Sequence, residues 1–431
     1  MLFAGISVLL PGGKTMENAY VATQEDRIAW IGAARPSEDY GEVYPGKNRL
    51  LIPGLVNTHC HVPMTLMRGY GEGLPLQEWL NTRIFPFEKQ LTPEDVYWGS
   101  MLGIAEMLQN GVTSFTDMYF LGPSIAKAAI QSGIRCNLSR GFTSTEDRPL
   151  AEQAEFQQAK ELFENFHMED HGRIRVDMGI HAEYTSTPES VRGVADYARK
   201  KDARIHLHLS ETKREHAECL ARRGFTPAAY FESLGVFENP VTAAHCVWVT
   251  DGDMEILARH GAFVSHNPTS NLKLGSGVAP VLRMREKGVP VALGTDGAAS
   301  NNRYDVLSEM RLALLLQNGL GGNPAALLPA DALQMASRTG ALSQGRADTG
   351  EIAVGNKADL AVLSLDAPGM NPCYDTATHL AYSAQASDVV LTMCGGRVLY
   401  RSGQWATVDV ERAKAQCAQT ARRISLSLLG A

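Results

Sequence analysis

No Cys-x-x-Cys pair occurs among the seven cysteines, Cys60, Cys136, Cys219, Cys246, Cys373, Cys394 and Cys417. At 431 residues the chain is long enough to bury a core without covalent staples. The cysteines therefore read as reduced thiols, and the expected location is the cytoplasm. A run of about 18 apolar residues is also missing, which excludes a spanning helix. The apolar start MLFAGISVLLPGG lacks a basic n-region and a small-residue cleavage motif, so it reads as a first strand. Basic excess is absent as well. A net charge of -7 gives no footprint for nucleic acid, and the expected partner is a small molecule, with homo-oligomerisation left open. No Gly-x-Gly-x-x-Gly turn follows an early strand and no Gly-x-x-x-x-Gly-Lys loop exists, which removes the usual support for a nucleotide cofactor.

What the chain does have is histidine at the ends of strands. His59 and His61 close the run LLIPGLVNTHCH, and in an extended strand residues i and i+2 face one side. Two neutral imidazoles aimed at one point are half of a metal chelate. The same alternation turns Cys60 away, and Cys246 likewise beside His245, so both read as packing residues. The pattern recurs downstream in RIRVDMGIHAEYTS (His181), ARIHLHLSET (His206, His208), PVTAAHCVWVT (His245), GAFVSHNPTSN (His266) and PVALGTDGAAS (Asp296). Each is a short β-like run that ends in a coordinating or acid-base residue. A (β/α)₈ barrel builds its active site in this way, from the carboxyl ends of several strands.

Eight strand candidates fall between residues 53 and 349: LIPGLVNTH, VTSFTDM, IRCNLSRG, IRVDMGIH, ARIHLHLS, VTAAHC, AFVSHN and VPVALGTD. Segments with helical periodicity, such as DVYWGSMLGIAEMLQNG and PESVRGVADYARKK, separate most of them. Residues 1–52 and 350–410 are instead short β-runs with Gly turns. Neither end has enough strands to bury a core alone, so the two are expected to combine in one small β-sandwich. Residues 411–431 read as a closing helix.

The segments PGLVNTHCH, HLSET, the strand-end His245 and GTDGAASNN resemble the amidohydrolase superfamily along nearly the whole chain. Within it, WLNTRIFPFE, SHNPTSNLKLGSGVAPV and GTDGAASNNRYDVLSEMRLALLLQ are most similar to the S-adenosylhomocysteine and 5'-methylthioadenosine deaminases. The resemblance implies the barrel with its flanking β-sandwich, and an enzyme that hydrolyses a 5'-substituted adenosine to the inosine analogue and ammonia. It also implies His59, His61, His208 and Asp296 as metal ligands. His206 competes with His208, since alternation puts both on one face. Three nitrogens and an oxygen suit zinc best, with iron, manganese or nickel as alternatives. Binuclear members carry a lysine at the end of the fourth barrel strand, whereas VDMGIHAEY has none, which points to one divalent ion.

The chemistry expected of these groups is specific. A bound divalent ion lowers the pKa of water from 15.7 to about 7. Asp296 is placed to take that water's proton and His245 to orient it, while Glu211 protonates a ring nitrogen of the amidine and relays a proton to the departing ammonia. Trp79, Glu88, Arg140 and His181 match the family's substrate-binding positions. Glu88 would accept from two ribose hydroxyls, Arg140 would meet the 5' substituent, and His181 would contact the nucleoside. His266 is expected to shape the pocket. Guanine deaminases and s-triazine amino- or chlorohydrolases share the metal set, and a silent scaffold is the remaining alternative. Glu88 separates these readings, because a free base or a triazine has no diol.

Overall fold

In the computed structural model, which describes residues 1–143 and 148–429, the chain forms two sheets. The N-terminal strands are β1 (Leu2–Leu9), β2 (Thr15–Gln24), β3 (Arg27–Gly32), β4 (Val43–Pro45) and β5 (Arg49–Pro53). There follow β6 (Leu55–Cys60), β7 (Val112–Met118), β8 (Arg135–Phe142), β9 (Ile174–Ile180), β10 (Ile205–Leu209), β11 (Val241–His245), β12 (Phe263–His266) and β13 (Val291–Leu293). The last are β14 (Leu360–Ser364), β15 (Val389–Cys394), β16 (Arg397–Arg401) and β17 (Gln404–Trp405).

Strands β6 to β13 pair in parallel in sequence order, one neighbour to the next. Each overlaps one of the eight expected runs, although the first, LIPGLVNTH, divides between β5 and β6. The two end strands meet where Thr58 Oγ1 donates to the Leu293 carbonyl (2.8 Å), Asn57 Nδ2 to Thr295 Oγ1 (2.8 Å) and the Asp296 amide to the His59 carbonyl (2.9 Å). These bonds close a (β/α)₈ barrel. Helices such as Pro93–Gln109, begun by a Thr92–Asp95 capping box, cover the outside.

The chain ends share one nine-stranded sheet in the order β17-β16-β15-β14-β5-β1-β2-β3, with β4 on β1. It is the domain built from both chain ends, made of one continuous sheet, and alternation shows how it is used. Leu51, Leu360, Val362 and Leu391 join an apolar cluster with Phe3, Ile6 and Val21. Their neighbours Leu50, Ile52, Ala361 and Leu363 join the barrel's core instead. One face of β5 and β14 therefore builds the small domain and the other seats it on the barrel. The buried Arg135–Asp359 pair (Nε–Oδ2 2.5 Å) joins barrel strand β8 to the stretch leading into β14.

The short β4 was not expected; it pairs along β1 for three residues and has no alternation of its own. The run around Ile352 is a loop and not a strand, with Gly350 and Gly355 at positive φ on either side. The last helix spans Val410–Leu429, and residues 430–431 lie outside the described residues. No helix among those described is long and apolar enough to cross a membrane.

Candidate active site and metal centre

Strand β6 is buried throughout and delivers His59 and then His61 to the carboxyl end of the barrel. Cys60 turns the other way, its Sγ 3.7 Å from Asp117 Oδ1, and Cys246 is equally buried. Asp296 follows β13 with a left-handed backbone (φ 62°), as do His245 (φ 72°) and Ser210 (φ 47°), the residue before Glu211. Such conformations are uncommon outside glycine and cluster where structure enforces them for function. Here each one turns a strand end sharply inward.

The ligand atoms converge. Asp296 Oδ1 lies 3.1 Å from His61 Nε2 and 3.5 Å from His59 Nε2. The donor atoms of His59, His208 and His245 also lie within 4.8 Å of one another. Tetrahedral donors 2.0–2.2 Å from a zinc ion stand about 3.4 Å apart, so these spacings fit an ion at the centre. His59 Nε2 is buried and has no hydrogen-bond partner among the described residues, as expected of an atom that serves as a metal donor. The site fits one divalent ion, with zinc favoured by its donor set.

Each ligand is held from behind. His61 Nδ1 donates to the Met118 carbonyl (2.5 Å) and His208 Nδ1 to the His181 carbonyl (2.7 Å), so that both rings turn Nε2 toward the centre. Asp296 Oδ2 accepts from Ser270 (2.5 Å) and Ser300 (2.9 Å). Burial, followed by the neighbouring imidazoles, keeps His208 well below the usual histidine range and so neutral, the form a metal takes. Burial holds His59 down to about 3. Burial acts the same way on His61, but its bonds to Asp296 outweigh that and push it up to about 9.

His206 stands elsewhere. Its Nε2 is 3.0 Å from His59 Nδ1 and its Nδ1 is 3.4 Å from Ser139 Oγ, one layer deeper in the barrel. Of the two, His208 is the residue at the mouth, within the His59–His208–His245 cluster. Glu211 is buried, accepts from Ser276 Oγ (3.3 Å), and places Oε2 3.9 Å from His245 Nε2. Burial raises its carboxyl and so favours the protonated form. Its backbone is fixed by Glu215, whose carboxylate accepts from the amides of Ser210 (2.9 Å) and Glu211 (2.7 Å). His245 Nδ1 donates to Asn271 Oδ1 (2.8 Å).

One cavity joins this centre to the expected substrate residues. Trp79, Glu88, Arg140 and His181 line it together with His61, His208, Glu211, His245 and Asp296. Trp79 and Glu88 lie on a broken helix of three short pieces, Leu76–Trp79, a π turn Leu80–Ile84, and Phe85–Glu88. Pro86 lacks the amide that a continuous helix needs there. Glu88 opens to the cavity but is otherwise enclosed, and burial pushes its carboxyl up to about 7. Arg140 is held by Gln158 Oε1 (3.1 Å) and by the Gly141 carbonyl. His181 Nδ1 pairs with Thr185 Oγ1 (3.0 Å), and burial lowers the ring to about 4.

His266 does not line the cavity. Its neighbours Ser265 and Asn267 take the interior side, with Ser265 Oγ 2.6 Å from Thr58 and Asn267 Nδ2 3.4 Å from His245 Nδ1. Sequence reasoning missed Tyr119, Asn271, Ser276 and Glu215. Of these only Tyr119, directly after VTSFTDM, carried the strand-end signal used for the histidines.

The model of the amidohydrolase family matches residues 50–399, which span the barrel and its site. The chain belongs to the amidohydrolase family. It is 42% identical over 415 residues to a 5-methylthioadenosine/S-adenosylhomocysteine deaminase of Dictyoglomus thermophilum, covering 96% of each chain. A 5'-deoxyadenosine deaminase of Methanothermobacter thermautotrophicus is 40% identical over 409 residues, again 95% of each. Among solved structures, a zinc-bound adenosine deaminase from Xanthomonas campestris superimposes with a TM-score of 0.91 at 32% identity, covering 99% of this chain and 98% of that one. In this amidohydrolase the metal donors, the enclosed carboxylic acid and the cavity beyond them form one continuous site.

Proposed function

We propose that this amidohydrolase deaminates 5'-substituted adenosines, a class that includes S-adenosylhomocysteine, 5'-methylthioadenosine, adenosine and 5'-deoxyadenosine. Water replaces the 6-amino group, giving the inosine analogue and ammonia. The observation that carries this reading is the shared cavity, in which the metal donors and Glu211 face the same space as Glu88 and Trp79. The names of the relatives support the same substrate class. In this reading residues 53–349 are the catalytic barrel, 1–52 with 350–410 a supporting β-domain, and 411–431 a closing helix. The seven unpaired cysteines support a reducing, cytoplasmic setting.

His59, His61, His208 and Asp296 would hold the ion. When bound, it supplies a Lewis acid that brings water's pKa near neutrality. The chain's own groups do the rest. Glu211, kept protonated more readily by its burial, donates to the purine N1 and makes C6 electrophilic. Asp296 takes the proton of the attacking water, and His245 Nε2, 3.9 Å from Glu211, orients that water against C6. Glu211, now a carboxylate, takes the proton of the C6 hydroxyl and relays it to the amino group; the C6–N bond breaks, the C6 carbonyl forms, ammonia leaves, and the proton held on Asp296 restores Glu211. Trp79 packs against the nucleoside, Glu88 accepts from the ribose hydroxyls, His181 contacts the nucleoside, and Arg140 reaches the 5' substituent.

The test is ammonia release by purified protein from adenosines, guanine and s-triazines side by side. Turnover confined to adenosines is expected. A preference for guanine or a triazine would replace this reading with the base-deaminase or chlorohydrolase alternative.

A further inference from the structure

Tyr119 follows strand β7 and lines the substrate cavity. Its ring is 5% exposed, stacks on Phe120 at 4.5 Å and lies 6.4 Å from the His61 ring. The side chain is thus fixed between the metal end of the cavity and its outer loops. Its hydroxyl is buried, yet it has no hydrogen-bond partner among the described residues. Buried polar atoms are nearly always paired, and one left open in a ligand cavity marks a place where the ligand supplies the partner. The charged group beside the Tyr119 hydroxyl is the Glu88 carboxylate, close enough for the two to act on each other but short of full hydrogen-bond geometry.

A donor and an anionic acceptor that lie side by side in a cavity without a fully formed hydrogen bond define what can bridge them. A hydroxyl does, since it accepts one hydrogen bond while donating another. An ammonium cannot accept from Tyr119, a carboxylate cannot donate to Glu88, and a methyl or methylene can do neither. We propose that Tyr119 is a second sugar-reading residue, donating to the ribose hydroxyl that itself donates to Glu88. The proposal rests on the adenosine-type reading above and deepens it. Glu88 alone would accept from any donor, whereas the pair demands an atom with both capacities. Discrimination against deoxynucleosides is then shared between two residues from different barrel loops.

Tyr119→Phe removes one oxygen and keeps the ring on Phe120. The decisive comparison is kcat/KM for 5'-methylthioadenosine and its 2',3'-dideoxy analogue, each with wild type and Y119F at equal, measured metal content. With the ribonucleoside the variant should lose about three- to tenfold, the scale of one neutral hydrogen bond. With the dideoxy analogue it should change less than about twofold. Equal losses on both substrates, the signature of a merely structural ring, would overturn the assignment, as would no loss on either. Should Y119F fail to fold, the wild type answers with the 2'-deoxy and 3'-deoxy substrates. One of the two must suffer more, because only one hydroxyl bridges both residues; equal losses would overturn the proposal. A wild type that releases ammonia from no adenosine overturns the functional reading with it. One that deaminates adenosines without coupling to Tyr119 overturns this proposal alone.

Discussion

His206 Nε2 sits 3.0 Å from His59 Nδ1, so the deeper histidine of the His206–His208 pair braces the proposed ligand His59 from the opposite side of the barrel. With its Nδ1–H donated to His206, the His59 ring presents its Nε2 lone pair toward Asp296. Partners of this kind set ligand tautomer and orientation, and their loss typically costs about 10- to 100-fold in metal affinity. His206→Ala should therefore weaken zinc binding by that order while excess zinc restores turnover. His208→Ala should not be restored. A zinc titration of both variants distinguishes the brace from the ligand, and identical behaviour would show the two roles misassigned.

The ligand set makes a direct prediction of its own. His61→Ala and Asp296→Ala each remove one of two donors that lie 3.1 Å apart in the cluster, so both variants should lose bound metal, activity or both. Metal analysis after dialysis, run beside an activity assay, checks this. Full metal content together with unchanged turnover in either variant is the contrary result.

Glu211 lies outside the ligand set, and its substitution should separate chemistry from metal binding. Glu211→Gln keeps the side-chain volume and the Ser276 contact but cannot carry a proton. General acid-base groups are typically worth about 10² to 10⁴ in rate, so kcat should fall by that factor with metal retained. Near-normal turnover would place the proton relay on His245 instead.

With Glu88 on the ribose, as proposed, the reaction should depend on pH through the substrate. Its carboxyl is pushed up to about 7 by burial, so the acceptor form predominates above pH 7 and is lost as the pH falls through that value. KM for ribonucleosides should therefore rise on acidification across pH 7, while KM for dideoxy analogues stays flatter. Glu88→Ala should abolish this difference and cost about 1.5–3 kcal/mol in kcat/KM for ribonucleosides, the scale of a hydrogen bond to a charged group. Parallel pH profiles for the two substrate classes would remove Glu88 from the sugar.

Much of this site was legible in the chain because one local rule, a polar residue closing a short apolar run, repeats at every barrel strand that matters. His59, His61, His208, His245 and Asp296 all obey it. The rule could not rank His206 against His208, since alternation puts both on one face. The register decides: His206 pairs alongside Gly179 and Thr242, a layer below the mouth. Nor could it exclude His266, whose strand turns it out of the interior. Supporting contacts were hidden for a different reason. Ser276 reaches Glu211 across 65 residues and Asn271 reaches His245 across 26, and such pairings exist only once the barrel closes. The terminal strands were visible as runs, but that β5 and β14 serve two cores at once follows only from their pairing.

The central claim is that one metal site and one carboxylic acid deaminate an adenosine-type nucleoside. Stripping the purified protein with a chelator, reloading it with one equivalent of zinc, and following 5'-methylthioadenosine with a coupled ammonia assay tests it most directly. Ammonia should appear in equal amount with 5'-methylthioinosine, vanish in the stripped protein and return on reloading. A fully reloaded protein that releases no ammonia from this or any other 5'-substituted adenosine would contradict the account.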